Sequence, residues 1–434
     1  MIALLPLLAL AAAAPPAPPR PILTLEQALA TAREHQPQVT AAAAAARAAL
    51  ARVDEAHAPL LPQISGVGTY QRATANFVSR PGSLPRQLGT SSGSESIESF
   101  GYFNAGLNLN YLLFDFGQTR ARWRSAEASY DSQRDSQRTT ESLVLFDVRT
   151  AFFQARANRE LVAVARDTLA NQRKHLDQTQ GFVEVGTQAP IALAQEKTAV
   201  SNAQVQLINA ENGYETSKAQ LNQAMGIETP DDYDVADEAY PEVPLEDGSP
   251  AALFAEALKA RPEIASLADQ VRAQELTVQA LRGGYRPSLG LNSGATDAGA
   301  KVNGLTWNLS AALQVSVPIF TGGLTRAQVA EGEANLAAAR SQVAIERLQV
   351  QVEVEQARLA VRAAKSSLAA SADALENAQD QLHLAEGRYE TGVGSIIELG
   401  DAQVALTSAA QQKVQAEYGL FQARAQLVKA LGRE

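Results

Sequence analysis

Glu398 and Asp401 stand three residues apart at the start of a helical stretch, Ile396 to Leu431, so their carboxylates share one helix face. Acids are favoured in a first helical turn simply because they meet the positive end of the dipole, so the spacing alone assigns no task. The four histidines, His35, His57, His175 and His383, are scattered and form neither an HExxH pair nor a triad. His175 and His383 lie on polar helical stretches and are expected at the surface, not as metal ligands. Gly66-Val67-Gly68 lacks the third glycine and the following helix of a dinucleotide fingerprint. The chain has no cysteine, which excludes disulfides, thiolate metal sites and cysteine nucleophiles. A net charge of −10 argues against a nucleic-acid surface, which needs clustered Lys and Arg. Nothing in the sequence reads as catalytic, and no cofactor or metal is expected.

The elements that must position these residues come in two copies. Tyr102 to Arg120 and Asn308 to Arg326 align with Phe114 on Phe320, Gly117 on Gly323 and Arg120 on Arg326, a constant offset of 206 (320 minus 114, 326 minus 120). Before its Phe, each copy alternates. Phe103, Ala105, Leu107, Leu109 and Tyr111 face one way, and Asn104, Gly106, Asn108 and Asn110 the other. Period two over such a length means a strand with one apolar and one polar face. After the glycine the pattern becomes a long helical one, from about Gln118 to Gln180, which is about 95 Å at 1.5 Å per residue. Gly181 to Pro190 breaks it, and a helix returns over Ile191 to Ala224. The second copy runs from Leu324 to about Glu386, breaks at Gly387 to Ser395, and returns over Ile396 to Leu431. A heptad joins Val361, Leu368, Leu375, Leu382 and Tyr389, with a matching line through Ala155, Val162, Leu169, Leu176 and Val183. Large and small residues alternating along such a seam let helices approach as a coiled coil.

In chain order, residues 1–21 form an apolar run ending in small residues, expected to be a cleaved signal peptide. Residues 22–226 are the first structural repeat: a helix over Leu25 to Ala56 interrupted by Pro37, two strands, a long helix, a tip turn and a returning helix. An exposed loop is expected from Ala73 to Phe100. Residues 227–249 hold eight acids between Glu228 and Asp247 in addition to Glu228 itself, among prolines, and read as a solvated acidic linker with no calcium-loop spacing. Residues 250–434 replay the first repeat. Ala260-Arg261-Pro262-Glu263 answers His35-Gln36-Pro37-Gln38 at an offset of 225 (262 minus 37).

Four strands cannot close a transmembrane barrel, whose minimum is about eight, and an open sheet edge is not tolerated in lipid. Strands placed in a membrane would therefore have to be shared between several chains. Here the sequence resembles the outer membrane efflux (TolC-type) channel proteins of Gram-negative bacteria. The likeness rests on Ala58-Pro59-Leu60-Leu61-Pro62-Gln63, Pro318-Ile319-Phe320-Thr321-Gly322-Gly323, Tyr389-Glu390-Thr391-Gly392-Val393-Gly394 and the duplication. It implies a mixed α and β membrane protein, with a long coiled-coil tunnel and a transmembrane β-barrel shared by a homotrimer, four strands from each chain. The implied function is an outer-membrane exit channel that extends through the periplasm and is gated at the helical tip. The implied partners are a periplasmic adaptor and an inner-membrane transporter, besides outer-membrane lipid.

The resemblance also implies roles for particular residues. Glu398 and Asp401 would point inward at the closed tip, where three chains stack two carboxylate rings that bind cations and hinder anions. Tyr389 matches a tyrosine of the family's closing network. The acid–arginine lock of some relatives falls on Ala192 and Gly394 here, so that bridge cannot form. Gly186 and Gly392 are equivalent tip glycines where the adaptor docks, and positive φ in a tight turn explains them equally. Tyr102, Phe103, Tyr111 and Trp307 suit an aromatic belt at the membrane interface. A secretion duct for proteins and a periplasmic coiled-coil scaffold without a pore are the alternatives.

Overall fold

The computed structural model of the protein describes residues 21–74, 99–228, 232–244 and 246–433. The expected leader lies outside them save for Pro21, as does most of the expected loop between Ala73 and Phe100. In chain order the elements are β1 (Ile22–Leu23), α1 (Leu25–His35), α2 (Pro37–His57), β2 (Gln63–Thr74), β3 (Ser99–Phe114), α3 (Gln118–Glu184), α4 (Pro190–Met225) and β4 (Asp234–Val235). There follow α5 (Pro250–Ala260), α6 (Pro262–Gly283), β5 (Ser288–Gly299), β6 (Thr306–Ser316), α7 (Leu324–Glu390) and α8 (Ile396–Ala430). Helices α3 and α7 are both 67 residues long. Among the described residues no helix is long and apolar enough to cross a membrane. Contacts group the chain into two compact units: residues 1–40, 141–257 and 353–434, and residues 41–140 and 258–352.

The second unit contains an antiparallel sheet of order β2-β3-β5-β6, which leaves β2 and β6 as its edges. Its register keeps the alternation of each strand in step across the sheet. Ile64 lies opposite Leu109, Leu109 opposite Ser293, and Ser293 opposite Ala311, while Leu107, Ala295 and Leu309 form the next row. One face is thus mainly apolar, interrupted by Ser293 and Asp297, and open to its surroundings, with Ile64, Leu309, Leu313 and Trp307 all well over half exposed. The other carries Asn108, Gly294 and Ser310 in one row and Asn110, Asn292 and Ala312 in the next, where Asn292 Nδ2 donates to Gln314 Oε1 at 3.0 Å.

The strands turn into helices through two consecutive left-handed residues. Phe116 and Gly117 have φ of 56° and 84°, and Gly322 and Gly323, their counterparts 206 residues on, have 61° and 86°. At the first turn Asp115 takes up the freed amides, accepting from Gly117 N at 3.1 Å and Thr119 N at 2.7 Å. Beyond it α3 meets α6 through small hydroxyl residues. Ser125 donates to Ala273 O at 2.9 Å, and Ser132 lies 3.0 Å from Ser266 Oγ.

In the first unit Phe152, Phe153, Leu221, Leu253 and Leu427, from α3, α4, α5 and α8, are all essentially inaccessible, and Phe153 packs on Phe421 of α8 at 4.8 Å. Thr24 opens α1 with a reciprocal capping box with Gln27, and Pro37 separates α1 from α2. Gly226 ends α4 at φ 77°, and a Cβ there would stand 2.7 Å from Gln36 Cα, so both conformation and space require glycine.

The acidic segment is not the solvated linker its composition suggests. Asp234 and Val235 pair in parallel with Ile22 and Leu23, and Tyr233, Val235, Tyr240 and Val243 are buried. The apolar residues interleaved among the acids give the segment a side to bury, and a buried cation fixes it. Arg424, 7% exposed, donates to both carboxylate oxygens of Glu246, at 3.1 and 3.0 Å, and to Tyr240 O at 3.2 Å. Lys365 adds a contact at 2.6 Å. Burial pushes the Glu246 carboxyl up, but the hydrogen bonds from Arg424, Lys365 and the Val243 amide outweigh it and hold it below the ordinary carboxylate value.

Glu246→Ala removes the bidentate partner of buried Arg424, leaving it only the exposed Glu242 carboxylate at 3.7 Å, and is expected to cost about 3 kcal/mol in the unfolding of detergent-solubilised protein. Because the folded value is depressed, this contribution is complete above the ordinary carboxylate range. It is lost as pH falls below about 4, so the variant's thermal midpoint should fall less than that of the wild type on acidification.

Candidate functional site: the paired helix tips

The α3–α4 and α7–α8 turns have the same backbone wiring. Gly186 N donates to Val183 O, and Thr187 N and Gln188 N both donate to Phe182 O. In the second turn Gly392 N donates to Tyr389 O, and Val393 N and Gly394 N both donate to Arg388 O. Gly186 and Gly392 have φ of 78° and 75°, the left-handed residue such a helix-ending motif needs. Both are exposed, and a Cβ on either would meet nothing within 4 Å. The positive φ is therefore a sufficient reason for glycine at both positions.

Tyr389 ties the two tips together. It is 3% exposed and packs with Leu382, Ala385, Leu399 and Ala402, its ring edge-on to Phe182 at 5.9 Å. Its hydroxyl lies 2.9 Å from Thr179 Oγ1 on α3 and accepts from Gln188 Nε2 at 3.0 Å in the first turn. A phenol of one tip thus holds a hydroxyl and an amide of the other, in a network without formal charge. Thr179 and Gln188 carry no sequence signal of their own, and only the fold brings them to Tyr389.

Glu398 on the first turn of α8 and Asp401 on the next are both exposed. Glu398 N donates to the capping Ser395 Oγ at 3.1 Å, and its carboxylate lies 3.1 Å from Arg388 Nε in the last turn of α7. Sequence reasoning missed that ion pair. Ala192 is buried, and a Cβ added to Gly394 would stand 3.0 Å from Arg388, so neither position has room for a charged lock.

Toward the tip, α3 presents polar residues to α7 and α8 at successive seam positions. Thr168 meets Thr407 at 3.2 Å, Gln172 Nε2 donates to Gln403 Oε1 at 2.7 Å, His175 Nε2 lies 3.3 Å from Glu386 Oε1, and Thr179 reaches Tyr389. His175 is therefore not the surface residue expected; it is 2% exposed, whereas His383 is exposed. The heptad line through Leu176 and Val183 misplaced it. Here α3 packs against two helices at once, and its buried face shifts to Gln172, His175 and Thr179, leaving Leu176 and Val183 half-buried. Burial lowers the His175 imidazole below its ordinary value, more than Gln178 and Glu386 raise it; Lys174 lowers it further.

The aromatics expected at a membrane interface lie on the sheet. Phe103, Tyr111 and Trp307 share the apolar face, and Phe103 packs on Tyr70 at 4.7 Å. Tyr102, one residue off, belongs to the Asn104–Asn108 face instead. Among the described residues no three His, Asp or Glu side chains converge as a metal site requires.

The strands β3 and β6 each lead through a left-handed turn into a 67-residue helix, and the returning helices α4 and α8 follow at the tip turns. The sequence matches the outer membrane efflux protein family over residues 28–227 and 253–433, and the chain belongs to that family. It is 27% identical over 359 residues to the solvent efflux pump outer membrane protein SrpC of Pseudomonas putida, covering 80% of this chain and 74% of SrpC. It is 28% identical over 417 residues to the pyoverdine export outer membrane protein OpmQ of the same species, covering 94% and 85%. Its fold matches the Campylobacter jejuni CmeC outer membrane channel at a TM-score of 0.80 and 18% identity, covering 94% of this chain and 85% of that one. The open state of the Neisseria gonorrhoeae MtrE channel matches at 0.77 and 19%, covering 94% and 89%. The protein is an outer-membrane protein.

Because the folded value of His175 is lowered, its buried neutral form contributes fully above the ordinary histidine range. That contribution declines as pH falls through about 6.5 toward the lowered value. Amide protection factors over residues 168–182, with the base-catalysed intrinsic rate divided out, should therefore fall as pH drops from about 7.5 to 5.5, and His175→Gln should remove that fall.

Proposed function

We propose that the protein is the trimeric outer-membrane exit channel of a tripartite efflux system. Three chains share one barrel of four strands each, continuous with a periplasmic coiled-coil tunnel, and substrates from an inner-membrane transporter pass through without chemical change. The observation that carries this reading is the sheet, whose mainly apolar face is open and whose β2 and β6 edges are unpaired among the described residues. In lipid such edges need partners, and further copies of the same sheet supply them. Phe103, Tyr111 and Trp307 then form part of the interfacial belt, and the Asn-rich face lines the lumen. The two repeats, residues 22–226 and 250–434, are read as a duplication, supported by equal long helices and by identical tip wiring at an offset of 206 (392 minus 186).

The paired tips are the gate in this reading. Tyr389 holds the two hairpins of a chain together through Thr179 and Gln188, and the acids of α8 form the charged throat. Gly186 and Gly392 lie at the exposed turns where a periplasmic adaptor docks. What the named relatives export, solvents for SrpC and pyoverdine for OpmQ, favours small molecules over secreted proteins as cargo.

Single-channel recording in planar bilayers tests the reading. Wild type should give small cation-selective currents, and Glu398→Ala/Asp401→Ala should give larger, less selective ones. Well-folded trimers without pores would favour the scaffold, and pores unchanged by the substitutions would remove the acid gate alone. Tyr389→Phe deletes hydrogen bonds worth about 0.5–1.5 kcal/mol each while keeping the ring, so open events should become roughly 2- to 10-fold more frequent.

A further inference from the structure

The carboxylate of Glu398 does not stand alone, and its partner belongs to the same tip. We infer that Arg388 is the counter-ion that sets the charge of the throat: it neutralises Glu398 within each chain and leaves Asp401 as the acid that selects cations. This rests on the gate reading above and deepens it.

Arg388 is the centre of the α7–α8 turn. Its carbonyl accepts from Val393 N at 3.0 Å and Gly394 N at 2.8 Å, which fixes its backbone across the turn from the start of α8. Its side chain then spans the turn to Glu398, Nε to Oε1 at 3.1 Å, while Ser395 Oγ fixes the Glu398 amide at 3.1 Å. Gly394 passes so close that a Cβ would stand 3.0 Å from Arg388 C and Cβ, which helps set the direction of the arginine. The other tip provides an internal control. At the offset of 206 (388 minus 182, 398 minus 192) the same two positions are Phe182 and Ala192. Phe182 O accepts two amides in the same way, at 2.9 and 3.3 Å, but its side chain turns to the Tyr389 ring, and Ala192 offers no carboxylate. The two positions thus hold an ionic pair at one tip and an uncharged pair at the other. Arg388 and Glu398 behave as a matched unit, not as two independent surface charges.

Asp401 differs. It is exposed one turn further along α8 and has no ion-pair partner among the described residues. Three copies around an axis would give one layer in which each carboxylate is balanced by its own guanidinium and one layer of unbalanced carboxylates. Arg388 acts through Glu398 and is a positioning residue. Both side chains of the pair are about half exposed, so its influence is screened by salt and is best read at low ionic strength.

The test is the permeability ratio of potassium to chloride, from reversal potentials across a KCl gradient at low ionic strength. The channels compared are wild type, Arg388→Gln, Arg388→Lys, Glu398→Gln, Arg388→Gln/Glu398→Gln and Asp401→Asn. Arg388→Gln should raise the ratio severalfold by unmasking Glu398, and Arg388→Lys should restore it toward wild type. Glu398→Gln, which leaves Arg388 unbalanced, should lower the ratio, the double substitution should return it to near the wild-type value, and Asp401→Asn should lower it in either background. A ratio unchanged by Arg388→Gln, with Asp401→Asn still effective, overturns the counter-ion role and leaves the gate reading intact. A ratio insensitive to Asp401→Asn and to Glu398→Gln sinks the gate reading itself. If Arg388→Gln/Glu398→Gln departs from wild type as far as Arg388→Gln alone does, Glu398 is not the charge that the arginine balances and the proposed pairing is wrong.

Discussion

A strand rises about 3.3 Å per residue with side chains alternating, whereas a helix rises 1.5 Å with a period of 3.6, and this chain passes from one to the other within three residues at β3–α3 and seven at β6–α7. The placement of both long helices depends on that change of direction. The left-handed pairs Phe116-Gly117 and Gly322-Gly323 accomplish it at β3–α3 and β6–α7. Phe116 is the costly member, because a bulky residue at positive φ forfeits on the order of 1 kcal/mol that glycine does not. Its ring offsets this by packing on Phe114 at 4.7 Å and beneath Arg286 at 5.5 Å. The second turn meets the same backbone requirement with glycine and gains no ring contact.

Downstream of these turns the chain divides its chemistry by surroundings. The sheet exposes its apolar side chains and turns amides and hydroxyls to the other face. The helices do the reverse, burying small and apolar residues along α7 from Val350 to Ala385 and leaving Gln, Glu and Arg outside. One sequence therefore carries two opposite hydrophobic patterns, each sensible in a different solvent. That contrast, more than any single motif, is what assigns the strands and the helices to different surroundings, while the outer-membrane location follows from the family.

Periodic features were legible in the sequence, and features set by tertiary contact were not. The alternation over Phe103 to Tyr111 and the uninterrupted windows after Gly117 and Gly323 located the strands and helices to within a few residues. The acidic segment misled, because counting acids says nothing of Tyr233, Val235 and Tyr240, which bury one side of it against Phe153 and Arg424. His175 misled for a related reason. A heptad describes a helix facing one neighbour, while the end of α3 faces two. The acids Glu398 and Asp401 were visible by spacing, but the arginine that distinguishes them is ten residues away across a turn (398 minus 388). Only a comparison of that turn with its uncharged counterpart makes the pair readable without coordinates.

The seam that leads to the tips changes character along α3, and the change has an energetic meaning. Val148, Phe152, Ala155 and Val162 bury hydrocarbon, at about 25 cal/mol per Å² removed from water, a contribution lost whenever the helices part. Thr168, Gln172, His175 and Thr179 instead make hydrogen bonds or polar contacts whose net worth is nearer 1 kcal/mol each, since water replaces the partner on separation. Their packing is also imperfect: Gln172 Oε1, Gln403 Nε2 and His175 Nε2 are buried without a hydrogen bond of good geometry, a cost that separation would relieve. Polar layers fix register while contributing little to cohesion. The last turns of α3 before the tip, from Thr168 onward, are accordingly where α3 can leave α7 and α8 at least expense. They lie beside the Tyr389 contact that any movement between the two hairpins must break.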